Sequence, residues 1–328
     1  MNNITGRPPP EPFPPYSYAL YGAGTELVLI CVMSILLNVL YLVGTRNLAR
    51  FVRTNVTYLL LRVICYVSIT CFVSECIAIT FAFMNVDFDH FKILYQILGA
   101  IMLHSYFFAI VASMTITFHR ILVVAFPDYS NKLITERFVR CYLLVYIILY
   151  LLCIASSLTP IVGAYFKPGK LNWGLDHAKP YSDIVIGTMN IISNYIIGYV
   201  NMVVYTVLLA YLFMTKRISF QTTTEKRMTI QVALMIIFEF GFYVGFELLN
   251  RGDTTGTESL IAQNLNLLFF DSIILPYLIL CRNIHNELRK IGNPNPARPA
   301  KMVALKVKQP KPPIKQHVIR TRTNADLV

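Results

Sequence analysis

Four ionisable residues lie within long apolar stretches of the sequence, where a titratable side chain is costly unless it has a partner or a task. They are Glu75, His104, Glu239 and Asp271. Helices through these stretches would place all four in one layer, roughly 14–18 Å from the same end. Such a layer could bind a cation, move protons or contact a ligand. The alternative is that the four side chains only hydrogen-bond to neighbouring helices and fix their packing.

Two further residues could contribute to the same site. Glu247 lies nearer the end of its apolar stretch, where it could meet a ligand or simply reach interfacial water. Tyr195 adds a phenolic hydroxyl to the fifth stretch. Both are therefore candidate ligand contacts.

Catalytic and metal-binding motifs are missing from the sequence. It contains no HExxH, GxSxG or phosphate-binding loop. The seven cysteines form no CxxC pair, and they lie in or beside apolar stretches, as expected of small buried hydrophobic residues. The sequence therefore predicts no catalytic residues, no metal and no cofactor, and it disfavours an enzyme.

The elements that must position these residues are membrane-spanning helices. Apolar residues make up 55% of the 328 and charged residues only 14%, against about 25% charged in a soluble domain. Blocks of roughly 20 apolar residues are typical of transmembrane helices. Seven such blocks are 21–44, 56–84, 93–118, 141–164, 183–214, 229–250 and 259–281. The predicted fold class is an all-α membrane protein, a bundle of seven transmembrane helices.

The distribution of basic residues predicts the orientation of this bundle. With the N-terminus outside the cell and the C-terminus inside, 23 of the 29 Lys and Arg residues lie on the inner side and 6 on the outer side. The net charge of +12 would suggest nucleic-acid binding in a soluble protein. Here its placement follows the membrane, so the expected partner is the lipid bilayer and no nucleic acid.

Composition divides the chain into four segments. Residues 1–20 are an extracellular, proline-rich N-terminus, in which Asn3 begins a glycosylation sequon. Residues 21–281 form the bundle. Residues 282–291 are a possible amphipathic helix on the inner membrane face, and residues 292–328 a basic, disordered cytoplasmic tail.

The third apolar stretch ends in a single basic residue, Arg120, which predicts a position at the cytoplasmic mouth of the bundle. An interfacial anchor would also place arginine there. The flanking motifs are Phe118-His119-Arg120 and Phe126-Pro127-Asp128-Tyr129, and Pro276 lies in the last helix before a basic, Asn-containing stretch.

These motifs resemble two receptor groups. Arg120 and Pro276 match the rhodopsin-like receptors, but His119 and Ile121 depart from the acidic and aromatic neighbours of that arginine. The sequence is more similar to the nematode serpentine chemoreceptors, particularly the Srg-like superfamily.

The resemblance implies a chemosensory G-protein-coupled receptor in the cell membrane of a sensory neuron. Its partners would be an external small-molecule or peptide ligand in the outer half of the bundle and a heterotrimeric G protein at the inner face. The basic residues that would meet the G protein are Arg120, Lys132, Lys216, Arg217, Lys226 and Arg227.

Two other functions compete with a receptor. A transporter or channel could use the acidic residues of the predicted layer for proton or cation coupling, although the sequence shows no internal repeat of the kind transporters have. A membrane partner or trafficking protein without signalling activity is the third interpretation.

Overall fold

Long helices dominate the part of the chain that this computed structural model describes, which is residues 17–48, 56–214, 223–249 and 256–292. The helices are α1 Tyr18–Gly44, α2 Val56–Phe83, α3 Lys92–Ala125, α4 Pro127–Leu133, α5 Glu136–Ser157, α6 Ser182–Tyr195, α7 Met202–Met214, α8 Thr223–Leu249, α9 Gly256–Leu280 and α10 Arg282–Gly292. A π-helical segment, Ile196–Asn201, joins α6 to α7. The chain divides into two units, Met1–Arg289 and Lys290–Val328, and only residues 290–292 of the second are described.

Six of the helical segments are long and apolar enough to cross a membrane: α1, α2, α3, α5, α9 and the continuous segment from α6 into α7. A shorter apolar stretch, Ala233–Gly245, lies in α8. Large apolar side chains cover the outside of the bundle, among them Leu29 and Leu144, which are 62% and 60% exposed. Lipid is the solvent that such a surface requires. The predicted fold class, a seven-helix membrane bundle, is therefore confirmed.

The largest differences from the predicted stretches are at the ends of the third and the fourth. The third apolar stretch was predicted to end at 118, whereas α3 continues to Ala125, so Arg120 lies inside the helix. The fourth was predicted to run to 164, whereas α5 ends at Ser157. Pro160 explains the second error, because proline lacks the N–H that a continuing helix needs and disfavours helical geometry just before it.

A β-hairpin follows α5 and covers one end of the bundle, here called the hairpin end. The opposite end is called the Arg120 end. Strands β1 Ala164–Lys167 and β2 Asn172–Leu175 are antiparallel, with Phe166 opposite Trp173. Buried Phe166 and Leu171 anchor the hairpin in the core. The composition had given no sign of this two-stranded sheet.

The hairpin lies directly on α3, and Gly99 makes this close approach possible. A Cβ at Gly99 would lie 2.6 Å from the backbone Cα of Tyr165. Two side-chain hydrogen bonds add to the contact: Gln96 Nε2 donates to Asp176 at 3.3 Å, and Asn172 donates to Ser259 of α9. The hairpin thus joins α3 and α9.

We expect Gly99→Ala to lower the stability of the protein by about 1–3 kcal/mol, because the new methyl group would displace the backbone of β1. Gly187→Ala in α6 is the matched control, since a Cβ there would meet nothing within 4 Å. Alanine in such a helix position is expected to be neutral or stabilising. Thermal unfolding of both variants in detergent tests this, and equal melting temperatures would contradict the role of Gly99.

The core lies around α3, which has the largest buried share of the six membrane-length segments. Tyr146 of α5 donates its hydroxyl to the carbonyl of Phe108 at 2.6 Å. At the Arg120 end, α10 packs against α1: a Cβ at Gly44 would lie 2.7 Å from Ile284, which is fully buried. These contacts fix the positions of the residues described next.

Candidate functional site

Arg120 of α3 is buried, with only 8% of its surface exposed. Its Nη2 donates a hydrogen bond to the hydroxyl of Tyr277 in α9. The guanidinium carbon lies 5.2 Å from the ring centre of Tyr277 and 6.0 Å from that of Tyr205 in α7. Nη1 lies 3.7 Å from the sulfur of Met235 in α8. We call Arg120, Tyr205, Met235 and Tyr277 the arginine cluster.

The arginine cluster connects four of the spanning segments at one end of the bundle. The Tyr205 hydroxyl also lies 4.0 Å from the Met235 sulfur, so α7 and α8 touch each other as well as α3. A desolvated cation over an aromatic ring gains about 2 kcal/mol. Separating α8 from α3 at this end must therefore break contacts of the arginine itself.

The burial of Arg120 separates the two interpretations of this residue. An interfacial anchor extends its charged group into water. The guanidinium of Arg120 instead lies among two tyrosines and a methionine of three other helices. The sequence analysis missed Tyr205, Met235 and Tyr277. Tyr277, which directly follows Pro276, was the one member beside a motif already noted.

The other basic candidates are less completely described. Lys132 lies on α4 and is exposed. Lys226 and Arg227 belong to α8, but their side chains lie outside the described part of the structure. Lys216 and Arg217 lie outside the described residues altogether.

Glu75 of α2 is completely buried. Its Oε2 accepts a hydrogen bond from Nε2 of Gln263 in α9 at 2.9 Å. Its Oε1 has no hydrogen-bond partner among the described residues. One oxygen of this carboxyl is thus available within the bundle.

Asp271 joins α9 to α1. Its Oδ2 accepts from the hydroxyl of Ser34 at 2.5 Å, and its Oδ1 from Nδ2 of Asn38 at 3.4 Å. Gln263, the partner of Glu75, lies eight residues earlier on the same helix, which is about 12 Å along the axis. Glu75 and Asp271 thus form separate contacts with different partners, and their placement in one layer stays a prediction.

Of the two remaining members of the predicted layer, His104 has a described side chain, and its partner is a different residue again. His104 of α3 contacts Ser157 of α5, with Nε2 and Oγ 2.7 Å apart, and its Nδ1 has no hydrogen-bond partner within the described residues. Glu239 and Glu247 lie on α8, with side chains outside the described part. Tyr195 is 56% exposed and stacks on Tyr199 at 5.7 Å, so it lies on the outer face of the bundle.

Lysines at the hairpin end are partly desolvated. Lys179 Nζ donates to the carbonyls of Ser157 and Val162, both at 3.1 Å, and burial lowers its pKa. Lys167 lies 5.6 Å from the ring centre of Tyr165. Burial, and then repulsion by Lys170, lower the pKa of Lys167. This end of the bundle presents cations and aromatic rings.

The described residues contain no metal site, since no three His, Cys, Asp or Glu side chains among them form a group able to hold an ion.

The spanning helices, joined at one end by contacts of a buried arginine, have the architecture expected of a seven-transmembrane receptor. The sequence matches the family model of the serpentine type 7TM GPCR chemoreceptor Srt over residues 24–300, and the chain therefore belongs to this nematode chemoreceptor family. The predicted membership in the serpentine chemoreceptors is confirmed, with Srt as the matching family in place of the related Srg-like group. The protein is thus a multi-pass protein of the cell membrane. No curated protein matches the sequence.

Proposed function

We propose that this receptor binds an external small molecule or peptide in the half of the bundle near the hairpin and activates a heterotrimeric G protein at the Arg120 end. The arginine cluster is the observation that carries the proposal. It places one buried cation at the meeting point of four spanning segments. A ligand-driven movement of any of them changes the environment of that cation.

The proposed orientation follows from charge. The Arg120 end carries Arg62, Lys132, Arg137 and Arg140 beside Arg120, as the cytoplasmic side of a membrane protein requires. The hairpin end is then extracellular, and so is Asn3, the proposed glycosylation site, which lies outside the described residues.

The proposed signal is a change in helix packing at the Arg120 end. In the structure, Arg120 contacts Met235 and thereby holds α8 against α3. An agonist that binds more tightly to an arrangement with these helices apart would increase the population of that arrangement. The G protein would then meet Arg120, together with Lys132, Lys216, Arg217, Lys226 and Arg227 on the neighbouring segments.

Two buried polar side chains in the half of the bundle near the hairpin are the proposed ligand contacts. Glu75 and His104 each keep one buried polar atom without a hydrogen-bond partner in the described residues. A ligand with matching polar groups could pair with these atoms, and pairing a buried group relieves a cost of about 1–3 kcal/mol. Glu239 and Glu247 remain candidate contacts on α8, whereas Tyr195 lies on the outer face of the bundle, away from this half's interior.

Expression in cells with and without a functional G protein tests the proposed function. A chemical library is applied, and second messengers and membrane currents are recorded. We expect at least one compound to raise the second messenger only when the G protein is present. Currents or substrate flux that persist in purified protein without a G protein would instead indicate a channel or transporter.

Once an agonist is known, Glu75→Gln is expected to leave surface expression unchanged and to raise the half-maximal agonist concentration about tenfold. The amide keeps the shape of the side chain but replaces one hydrogen-bond-accepting oxygen with an NH2 group. The lost hydrogen bond would cost about 1.5–3 kcal/mol of binding free energy. Glu26→Gln is the control, since Glu26 accepts from Asn264 at the exposed surface. An unchanged half-maximal agonist concentration in Glu75→Gln would show that this carboxyl contributes only to helix packing.

A further inference from the structure

An apolar cavity of about 190 Å³ opens on the side of the bundle near the Arg120 end. Its walls come from α2, α3 and α5, with Leu133 and Ile134 covering it at the end of α4. Leu60, Phe118 and Val139 are among its lining residues. Nothing in the arginine cluster lines this cavity, so it is separate from the proposed signalling contact.

The polar groups in the cavity wall bind one another. The Tyr142 hydroxyl lies 2.7 Å from Oγ1 of Thr115, and Nδ1 of His119 lies 3.4 Å from Oγ1 of Thr57. The hydroxyls of Tyr142 and Thr115 and Nδ1 of His119 therefore have partners within hydrogen-bond distance in the protein. The surface offered to an occupant is hydrocarbon, which favours an apolar chain over a polar ligand.

A second, wider cavity of about 610 Å³ continues from the first toward the end of the bundle. Both are lined by Leu122 and Leu133, so they are contiguous. The wider cavity is also lined by Phe126, Tyr129 and Lys132. Its mouth thus combines apolar side chains with one ammonium group.

The basic charge of this region exceeds the acidic charge that could neutralise it. Arg137 and Arg140 lie on the first turns of α5 and are exposed. Glu136, the acidic residue of that turn, is already paired with Arg140. Lys132 forms no ion pair with the described acidic side chains, so its ammonium can meet an anion that comes from outside the protein.

The surroundings of the two cavities are lipid-facing. Phe118 and Phe138 at the cavity wall are 46% and 50% exposed on the outer surface of the bundle. An occupant can thus enter sideways from the bilayer. We propose that the two contiguous cavities form a binding site for an anionic phospholipid, with one acyl chain between α2, α3 and α5 and the headgroup at Lys132.

Photocrosslinking of the full-length receptor in vesicles tests this site. The probe is a phospholipid with a diazirine in the acyl chain, carrying either an anionic phosphatidylglycerol or a zwitterionic phosphatidylcholine headgroup. Mass spectrometry measures labelling of residues 115–142. A single lysine near lipid headgroups favours anionic lipid about fivefold, so we expect about fivefold stronger labelling by the anionic probe.

Two variant pairs make the test specific. Leu122→Trp fills the junction of the cavities, while Val123→Trp places the same side chain on a 44% exposed position next to it. We expect the first to reduce labelling at least fivefold and the second to leave it unchanged. Lys132→Gln is expected to equalise labelling by the two probes, whereas Arg282→Gln, an exposed residue on α10, preserves the difference.

Equal labelling by both headgroups in the unaltered receptor would overturn the proposal, as would unchanged labelling in Leu122→Trp. The first result would indicate a general lipid-facing surface. If Leu122→Trp is not folded, Lys132→Gln decides alone, since it alters an exposed side chain: a persistent preference for the anionic probe would then reject the site.

Discussion

Replacing Arg120 with alanine is expected to reduce agonist-dependent G-protein activation at least about tenfold in receptors that reach the cell surface. The guanidinium is the proposed contact for the G protein, and hydrogen bonds made by a charged group contribute about 1.5–3 kcal/mol. A loss of 1.4 kcal/mol corresponds to a tenfold change. Activation is measured at matched surface density, so that any loss of folding is counted separately.

Arg140→Ala is the control for this prediction. Arg140 also lies at the Arg120 end, but its side chain is 72% exposed and pairs with Glu136 one helical turn away. Such pairs contribute about 0.3–0.5 kcal/mol, so we expect less than a twofold change in activation. Full activation by Arg120→Ala at normal surface density would contradict the proposed coupling role.

Tyr277→Phe separates the two roles that the arginine cluster could have. This variant keeps the ring beside the guanidinium and removes only the hydroxyl that accepts from Arg120. If the arginine cluster holds the Arg120 end closed, loss of the Tyr277 hydroxyl weakens the closed arrangement. Signalling without agonist is then expected to rise. Arg120→Ala removes the proposed G-protein contact too, so its signalling falls.

Replacing Asp271 with alanine is expected to have the largest effect on folding. Ser34 and Asn38 are 1% and 0% exposed, and both donate to this carboxyl. Without it, the Ser34 hydroxyl loses its acceptor in a region where water is excluded, at about 1–3 kcal/mol. Asn38 Nδ2 loses its longer bond to Asp271 but keeps its bond to the Ser34 carbonyl at 2.8 Å. We expect a large fall in the fraction of receptor at the cell surface and a lower melting temperature after purification.

Ser272→Ala is the matched control for Asp271→Ala. Ser272 is the next residue, is also buried, and donates to the carbonyl of Phe269 in its own helix at 2.6 Å. Removing the Ser272 hydroxyl breaks this hydrogen bond within α9 and no described hydrogen bond between helices. A double variant, Ser34→Ala with Asp271→Ala, should lose less than the sum of the two single variants, because it removes the donor together with its acceptor. Strict additivity would show that the two residues do not interact.

The bundle could be predicted from the sequence because lipid imposes a simple rule. Every spanning segment must be apolar over its length and must satisfy its own backbone, which makes a helix the only solution for each run. The ends of the helices follow other rules. Local chemistry at Pro160 ends α5 early, whereas α3 continues past Arg120, whose charge is buried beside aromatic rings of other helices.

The candidate site was only partly predictable, because depth along a helix does not define which residue faces which. Glu75 and Asp271 are both acids within apolar stretches, yet Glu75 pairs with Gln263 of α9, whereas Asp271, itself on α9, pairs with Ser34 and Asn38 of α1. Arg120 was identified by its charge. Its partners Tyr205 and Met235 are ordinary residues in apolar runs, and only the packing of α7 and α8 against α3 distinguishes them.

The π-helical segment Ile196–Asn201 joins α6 to α7 and gives this spanning segment a place where α7 can rotate relative to α6. A π turn holds one more residue than an α turn, so conversion to regular α-helix would rotate α7 relative to α6 by about 100°. Asn201, at the end of the segment, is 1% exposed, and neither atom of its amide has a hydrogen-bond partner within the described residues. Tyr205 lies one turn further along. A rotation of this size would carry its ring away from Arg120, so one contact of the arginine cluster could be broken by a twist of one helix without any span tilting.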